Sequence, residues 1–255
     1  MNPADIIRIK DLLPTAMGSD ELREQIAADI LRRSVFSARM ESARYLAQMR
    51  EVCAQMMEGR ISQATARDML GGILERMGFS PQDGGSVRNP ASLRRLDLIV
   101  ETQTQMAANV ARLSEQTPEV MEMWPAWELT RLEGRDLPRG DWPQRWDAAA
   151  RSVGFEGVSR DYGRMVALKD SPVWQALGDG AGGFRDTLGN PFPPFAFNSG
   201  MGWVDVTREE CEELGLDPDG ASVPAEASLA PDREELARAA EKWGFDYDEI
   251  AKGVA

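Results

Sequence analysis

The distribution of tryptophan along the chain constrains the fold more than any other feature of the sequence. All seven tryptophans lie from Trp124 onward. The first 116 residues contain only Phe36, Tyr45 and Phe79 as aromatic residues, and their apolar positions are mainly Leu, Ile, Met and Ala at helical spacing. Rings and aliphatic side chains fill a core differently. The sequence therefore predicts two regions with different cores.

Length and composition narrow the class of protein. A chain of 255 residues has room for one large domain or two small ones. No run approaches the roughly 18 apolar residues of a membrane span, and residues 1–11 lack the apolar stretch of a signal peptide. We expect no membrane partner and synthesis in the cytoplasm. Cys53 and Cys211 lie far apart in sequence and are predicted to be buried free thiols.

The absence of histidine restricts the chemistry. It excludes Ser-His-Asp and Cys-His catalysis and every histidine-based metal site, and two cysteines cannot form a structural zinc site alone. We therefore predict a protein that is not an enzyme, without cofactor or metal and without a small-molecule substrate. An alternative is a carboxylate-based, metal-dependent enzyme using Glu101, Asp170 and Asp186, although no fixed spacing joins these residues.

Most of the negative charge lies near the C-terminus. The formal net charge is −13, and residues 205–252 contain fifteen Asp or Glu against five Lys or Arg, which is −10 of that total. Nucleic-acid binding requires clustered Lys and Arg. The candidate cluster lies on the first long helical pattern, and it also supplies candidate contacts for a protein partner: Arg32, Arg33, Arg39 and Arg44.

The first region, residues 1–116, is predicted to be helical. An apolar stripe begins after the cap Ser19 and ends at Gly59. A helix over residues 20–58 would be roughly 58 Å long at about 1.5 Å per residue, so we expect it to project or to break. Ser62 is predicted to cap a second helix, and Asn89 a third that ends near residue 115.

The second region, residues 117–215, is predicted to be a small α+β domain. Strand patterns occur at residues 127–133, 164–168 and 203–206, with short helices between them. The fold class is thus α+β and mainly α. Residues 216–255 are interpreted as an acidic linker and a C-terminal helix, and Trp243 on that helix is a further candidate partner contact.

The segment PFPPFAFNSGMGW at residues 191–203 is rich in proline and aromatic residues. Proline excludes a helix there, and the rings carry too much apolar surface to remain in water. We predict that Phe192, Phe195, Phe197 and Trp203 form a clasp, meaning a buried segment that closes the second region. Its neighbours are expected to be Trp127, Leu129 and Trp174.

The order of several segments resembles the phage Mu F-like minor head proteins, also called head morphogenesis proteins. The segments are RRLDLIVETQTQMAANVARL, PAWELTRLEGRDLPR, MVALKDSPVW and PFPPFAFNSGMGWVDVTREECEELGL, within residues 20–215. Residues 100–109 are similar to the family's Arg-Thr-Glu-like segment with its following Asn. Asn198 to Met201 stand where the family tends to have His-Pro-x-Cys-Arg-Cys, so the resemblance carries no metal or thiol role over to this chain.

The resemblance implies a structural protein of a phage or prophage. Such a protein joins the portal-containing procapsid in low copy, with portal and capsid proteins as partners, and would occupy the host cytoplasm during assembly and the virion head afterwards. The alternative closest to this hypothesis is a DNA-associated packaging factor, which requires the arginines at residues 32–44 to be exposed.

Overall fold

The computed structural model describes residues 1–80, 92–135, 137–155 and 163–225, together with single positions between 227 and 238. The chain packs into two compact units, Met1–Ala111 with Ser228–Ala255 and Arg112–Ala227. Helices predominate and short strands form small sheets, so the fold is α+β and mainly α, as predicted. The first unit ends at Ala111, inside a long helix, whereas the predicted boundary followed residue 116.

The first unit is built from helices and one short strand pair. Strands β1 (Asp11–Leu12) and β2 (Ser34–Val35) pair in parallel, with Asp11 opposite Ser34. Helix α6 continues beyond Ala111 into the second unit. The helices are α1 (Pro3–Ile9), α2 (Ser19–Gln25), α3 (Ala28–Arg33), α4 (Ala43–Met57), α5 (Gln63–Arg76) and α6 (Leu93–Ser114).

The prediction that a single long helix over residues 20–58 projects is wrong. The alternative expectation, a break within these residues, is what the structure shows. The chain leaves the helical conformation at Ile26, where φ is −106° and ψ is 131°, and again at Ser34. Leu22 of α2, Ile26 between the two helices and Ile30 of α3 pack in a buried cluster around Leu13. Helical stability in proteins comes mainly from tertiary packing, so two short helices that share this cluster are favoured over one that projects.

Local capping signals place the next two helices. The Ser42 hydroxyl accepts a hydrogen bond from the Tyr45 N–H at the start of α4, and Ser62 accepts one from the Thr65 N–H at the start of α5. Gly59, between them, has φ of 71°, a conformation that glycine adopts without strain. The predicted caps at residues 62 and 59 are therefore confirmed.

Helix α6 is buried on more than one side. Its buried residues include Leu96, Val100 and Ala107, but also Arg95 and Gln103. The cap predicted at residue 89 lies outside the described residues. Within the described parts of the chain, α6 and the other helices all lack the combination of length and apolar character that crossing a membrane requires.

The second unit is built around a three-stranded antiparallel sheet in the order β4-β3-β5. Trp127 on β3 lies opposite Ala167 on β4 and Asp205 on β5. The strands lie within or next to the predicted strand segments. The elements are α7 (Pro118–Met123), β3 (Ala126–Arg131), α8 (Trp142–Ser152), β4 (Val166–Leu168), α9 (Val173–Gly178), β5 (Met201–Val206) and α10 (Arg208–Glu213).

The sheet separates two apolar clusters because neighbouring residues of a strand face opposite sides. On one side, Ala126, Val166 and Val206 pack with Cys211 and Leu214 from α10 and the residue that follows it. On the other side lie the tryptophans of β3 and β5. Helix α10 begins with a capping box between Thr207 and Glu210.

The chain beyond residue 215 remains attached to the second unit for at least ten residues. Leu216 packs against the α10 cluster, and Pro218 and Pro224 are buried. Asp170 accepts hydrogen bonds from the N–H and hydroxyl of Ser222, at 2.9 and 2.6 Å. The unit ends at Ala227, whereas the linker was expected to start at residue 216.

Candidate functional site

An aromatic cluster fills one side of the sheet in the second unit. The Trp127 and Trp203 rings stack with centroids 3.7 Å apart and planes 10° apart. Trp174 meets Trp203 edge-on at 5.5 Å and Trp146 at 5.3 Å. Phe195 lies 6.0 Å from Trp203 and 6.1 Å from Trp174. These distances lie in or near the range in which rings attract beyond their buried area.

The indole N–H groups of the cluster differ in whether they have a hydrogen-bond acceptor. Trp127 donates to the Asp205 carboxylate at 3.0 Å, and Trp174 donates to the Leu168 carbonyl at 2.9 Å. The Trp203 Nε1 atom is buried without a hydrogen-bond partner. Burying that N–H costs free energy. The stacking and ring contacts of Trp203 must offset this cost.

The segment before β5 folds back on itself to close the cluster. Thr187 and Ala196 form an antiparallel bridge, and the Leu188 N–H donates to the Phe195 carbonyl at 3.0 Å. The loop passes close to the end of α9. A Cβ at Gly178 would lie 1.8 Å from the carbonyl oxygen of Asn190. Only glycine allows this approach.

Two arginines hold the carbonyl groups of the turn that follows. Arg131 donates to the Ser199 carbonyl and to the Arg139 carbonyl, both at 2.9 Å. Arg139 donates to the Phe197 carbonyl and forms an ion pair with Asp186. We call these two side chains the arginine brace. They satisfy backbone acceptors that neither a helix nor a strand serves.

A third arginine ties the same segment to α8. Arg145 is 5% exposed and binds Asp186 at 2.8 Å and Asp141 at 2.9 Å. Its guanidinium also lies 4.3 Å from the centre of the Phe184 ring. Burial alone would raise the pKa of Asp186, but the hydrogen bond from Arg145 and the charges of Arg139 and Arg145 hold it below its ordinary value.

A second ionic group lies at the edge of the cluster. The fully buried Lys169 ammonium contacts Asp205 at 2.9 Å and Gln116 at 2.7 Å, and lies 5.2 Å from the Trp127 ring centre. Arg112 binds the other Asp205 oxygen at 2.6 Å and donates to the Trp203 carbonyl at 2.7 Å. Burial would raise the pKa of Asp205, but the hydrogen bond from Lys169 and the charge of Arg112 lower it.

The residues of the predicted clasp differ in burial. Phe192 and Phe195 are fully buried, and Trp203 is 2% exposed. Phe197 is half-buried at the turn, and Asn198 beside it is exposed with φ of 52°. The ring contacts of this segment are those with Trp174 and Trp127 given above. The segment therefore contributes its rings to the inside of the unit and its turn to the surface.

The four arginines of the first unit do not lie on one helix. Arg32 and Arg33 end α3 and both bind Asp29. Arg39 lies between β2 and α4 with φ of 61°, and Arg44 is on α4. Of the four arginines, only Arg39 and Arg44 are exposed. The fifth candidate contact, Trp243, lies outside the described residues.

The three candidate carboxylates have separate surroundings. Glu101, in the first unit, accepts a hydrogen bond from Gln105 along α6 at 3.2 Å. In the second unit, Asp170 binds Ser222 and Asp186 binds two arginines. Among the described residues, no group of three acidic or cysteine side chains is arranged to hold a metal ion. The described contacts therefore do not assemble the alternative enzyme site.

Sequence reasoning missed the ionic groups that surround the cluster. Arg139 and Phe197, or Arg112 and Asp205, are distant in sequence, so no local pattern joins them. The low lysine content was one signal that individual lysines could have special surroundings: the chain has only four lysines among its 29 basic residues. Two of these, Lys10 and Lys169, are buried.

Comparisons with known proteins give no relative from which a role could be transferred. No protein-family model, curated protein or solved structure matches the chain. A function can therefore be inferred only from the residues and contacts described above.

Proposed function

We propose that this chain is a structural minor head protein of a phage or prophage that acts in head morphogenesis at the portal-containing procapsid. The order of its segments resembles that of the Mu F-like proteins. It would act without catalysis, in the host cytoplasm during assembly and in the virion head afterwards. Portal and capsid proteins are the proposed partners.

One observation supports this proposal most. The segment at the position of the family's proline-rich loop packs Phe192 and Phe195 into the aromatic cluster, and the arginine brace holds its turn. Catalytic and ligand-binding loops generally leave their chemical groups accessible. A segment whose rings are buried and whose carbonyls are bound is suited to present a fixed surface to a protein partner.

The exposed apolar residues near this turn are the proposed contact surface. Leu132 and Leu137, in the loop after β3, are 57% and 89% exposed. Leu132 also lies over Gly202 of β5, so this loop adjoins the sheet that carries the cluster. Exposed apolar patches with polar surroundings mark sites of contact with protein partners.

Co-expression with the portal protein of the same phage or prophage tests the proposal. We expect the chain to copurify with the portal and to sediment with procapsids. Leu137→Asp should reduce copurification at least tenfold while leaving the melting temperature unchanged. Met69→Asp, at a 40% exposed position of the first unit, is the matched control and should copurify normally. Failure of the wild-type chain to associate with portal and procapsid would refute the proposal.

The alternative function, a DNA-associated packaging factor, is supported by the exposure of Arg39 and Arg44. It predicts retention on DNA-cellulose at low salt, with affinity that falls steeply as salt rises. The double variant Arg39→Ala, Arg44→Ala should then elute earlier than the wild type. If retention depends on these arginines and portal binding is absent, the chain is a DNA-associated factor.

A further inference from the structure

Lys10 is a buried basic residue without an acidic partner. It caps the C-terminus of α1, and its side chain is fully buried in the first unit. Its Nζ atom donates to the Gln103 amide oxygen on α6 at 2.5 Å. Among the described residues, no carboxylate lies within ion-pairing distance of Nζ. Lysine is almost never fully buried unless it is paired.

The charged and titratable groups around Lys10 supply no counter-charge. Cys53, on α4, is buried, and burial raises the pKa of its thiol to about 12, so it remains neutral. Arg50 on α4 donates to the Lys10 carbonyl at 2.7 Å, and Arg32 on α3 adds another positive charge. On α1 itself, Arg8 binds the nearby carboxylates of Glu51 and Glu58.

These surroundings favour the neutral amine. An ammonium group has three N–H donors, and Gln103 accepts only one of them. An unpaired charge in a dry interior is costly, so a buried lysine shifts its equilibrium toward the uncharged form. Burial lowers the pKa of Lys10 to about 7, and Arg32 acts in the same direction, while Cys53 opposes them.

We propose that Lys10 is a proton-operated latch in the first unit: α1 and β1 stay packed while the buried amine is neutral, and uptake of one proton by that amine loosens them. The ammonium can still donate to Gln103, so the effect comes from placing an unpaired charge in the interior beside the β1–β2 pair that starts at Asp11. The latch depends on the burial of Lys10 and is independent of the proposed role in head assembly.

The direction of the pH effect follows from proton linkage. The unfolded chain holds a proton on Lys10 up to a pH of about 10.5, whereas the folded chain releases it near 7. Because the unfolded state binds more protons between these values, stability rises with pH through this window. Below pH 7 the penalty is complete.

Nuclear magnetic resonance of the full chain, labelled with ¹³C at lysine Cε, tests the titration directly. Only four lysine signals are expected, at positions 10, 169, 242 and 252. The Lys10 signal, assigned by its loss in Lys10→Met, should titrate near neutral pH. The amide signals of residues 6–12 and 102–104 should shift with the same midpoint. A Lys10 signal with the ordinary lysine pKa of about 10.5, or amides that do not follow it, would overturn the latch.

Urea unfolding at several pH values provides a second measurement. The ratio of the wild-type unfolding constant to that of Lys10→Met should fall about tenfold per pH unit between pH 7 and 10, since one proton is linked. Lys169→Met is the matched control, because its buried lysine has a carboxylate partner, and its ratio should change less steeply. A flat ratio for Lys10→Met contradicts the proposal, and if that variant does not fold, the wild-type titration decides.

Discussion

At the scale of single residues, two lysines show how one carboxylate changes the role of a buried cation. Lys10 and Lys169 are both fully buried. Lys169 contacts Asp205 at 2.9 Å, whereas Lys10 has an amide oxygen as its acceptor. Burial lowers the pKa of both, but at Lys169 the hydrogen bond that its ammonium donates to Asp205 opposes the effect. The Asp205 carboxylate therefore offsets part of the cost of burying the Lys169 charge, whereas Lys10 has no such compensation.

Lys169→Met is expected to destabilise the second unit by about 2 kcal/mol. The substitution removes the ammonium from Asp205, which keeps the Trp127 indole as a donor, and it removes the Lys169 donor from the Gln116 oxygen. The loss is smaller than the roughly 3–5 kcal/mol of a fully buried pair, because Asp205 is 37% exposed and keeps Arg112. Urea unfolding followed by tryptophan fluorescence measures it. Glu209→Gln, an exposed change of charge, is the control, and equal stabilities of the two variants would contradict the expectation.

The residues that sequence reasoning found are those whose signal is local. Ser62 was predicted as a cap, although Ser42 was not, because a cap and the N–H that it accepts from lie within one helical turn. The arginine brace was missed, because Arg131 and Ser199 meet only after the sheet has formed. The sequence was enough to predict that the rings of the proline-rich segment are buried. It could not show which backbone carbonyls of the segment would need hydrogen-bond donors.

At the scale of elements, packing decides where helices end. The apolar stripe of residues 22–56 predicts helix at most of these positions, but it does not indicate that Ser34 and Val35 pair with β1. Helix α1, which the sequence analysis left out, begins with an Asn2 cap and Pro3 in the first turn, which is a recognised start signal. The strands of the second unit were predicted correctly because their alternation and flanking turns are local features.

Gly178→Ala tests the close approach of the proline-rich loop to α9. The new Cβ would lie 1.8 Å from the Asn190 carbonyl oxygen and 2.7 Å from its carbon, so backbone must move. We expect a loss of about 3 kcal/mol. Gly134→Ala has open space around its Cβ and should change stability by less than about 0.5 kcal/mol. Thermal unfolding of both variants measures the difference. Similar melting temperatures would show that the loop at Asn190 moves away from the new Cβ at little cost.

Phe195→Ala and Asn198→Ala separate the buried part of the segment from its exposed turn. Phe195 is fully buried between Trp174 and Trp203, and its truncation should cost about 3–5 kcal/mol. Asn198 is exposed with positive φ, so alanine there should cost about 1 kcal/mol. Calorimetry of each variant, set beside procapsid association, gives the readout. A stable Phe195→Ala that has lost only assembly would mean that the rings serve binding and not architecture.

At the scale of the whole molecule, the chain divides where few local signals mark a boundary. The second unit runs from Arg112 to Ala227 and starts inside helix α6. A continuous helical pattern hides such a boundary from sequence reasoning. The composition of residues 216–231 indicates a linker, yet Leu216 and Ser222 make specific contacts with the second unit. Composition reports average polarity and does not reveal which few side chains are buried.

Two truncations locate the C-terminal edge of the second unit. Removal of every residue after Gly215 deletes Leu216 from the α10 cluster, Asp219 from its ion pair with Arg208, and Ser222 from Asp170. That chain should unfold at a clearly lower urea concentration than one ending at Ala227, which keeps all three contacts. The burial of Leu216 alone contributes roughly 1.5–3 kcal/mol when complete, and less here because it is only partly buried.

Both truncated chains lack Trp243, so their tryptophan fluorescence comes only from residues 124–203 and reports on the second unit alone. Far-ultraviolet circular dichroism recorded on the same samples follows the helices of both units and identifies any separate transition of the first. Equal midpoints by fluorescence would mean that residues 216–227 add nothing to the second unit and that the edge lies at residue 215. A lower midpoint for the shorter chain alone places the edge at Ala227, because only the contacts of residues 216–227 distinguish the two chains.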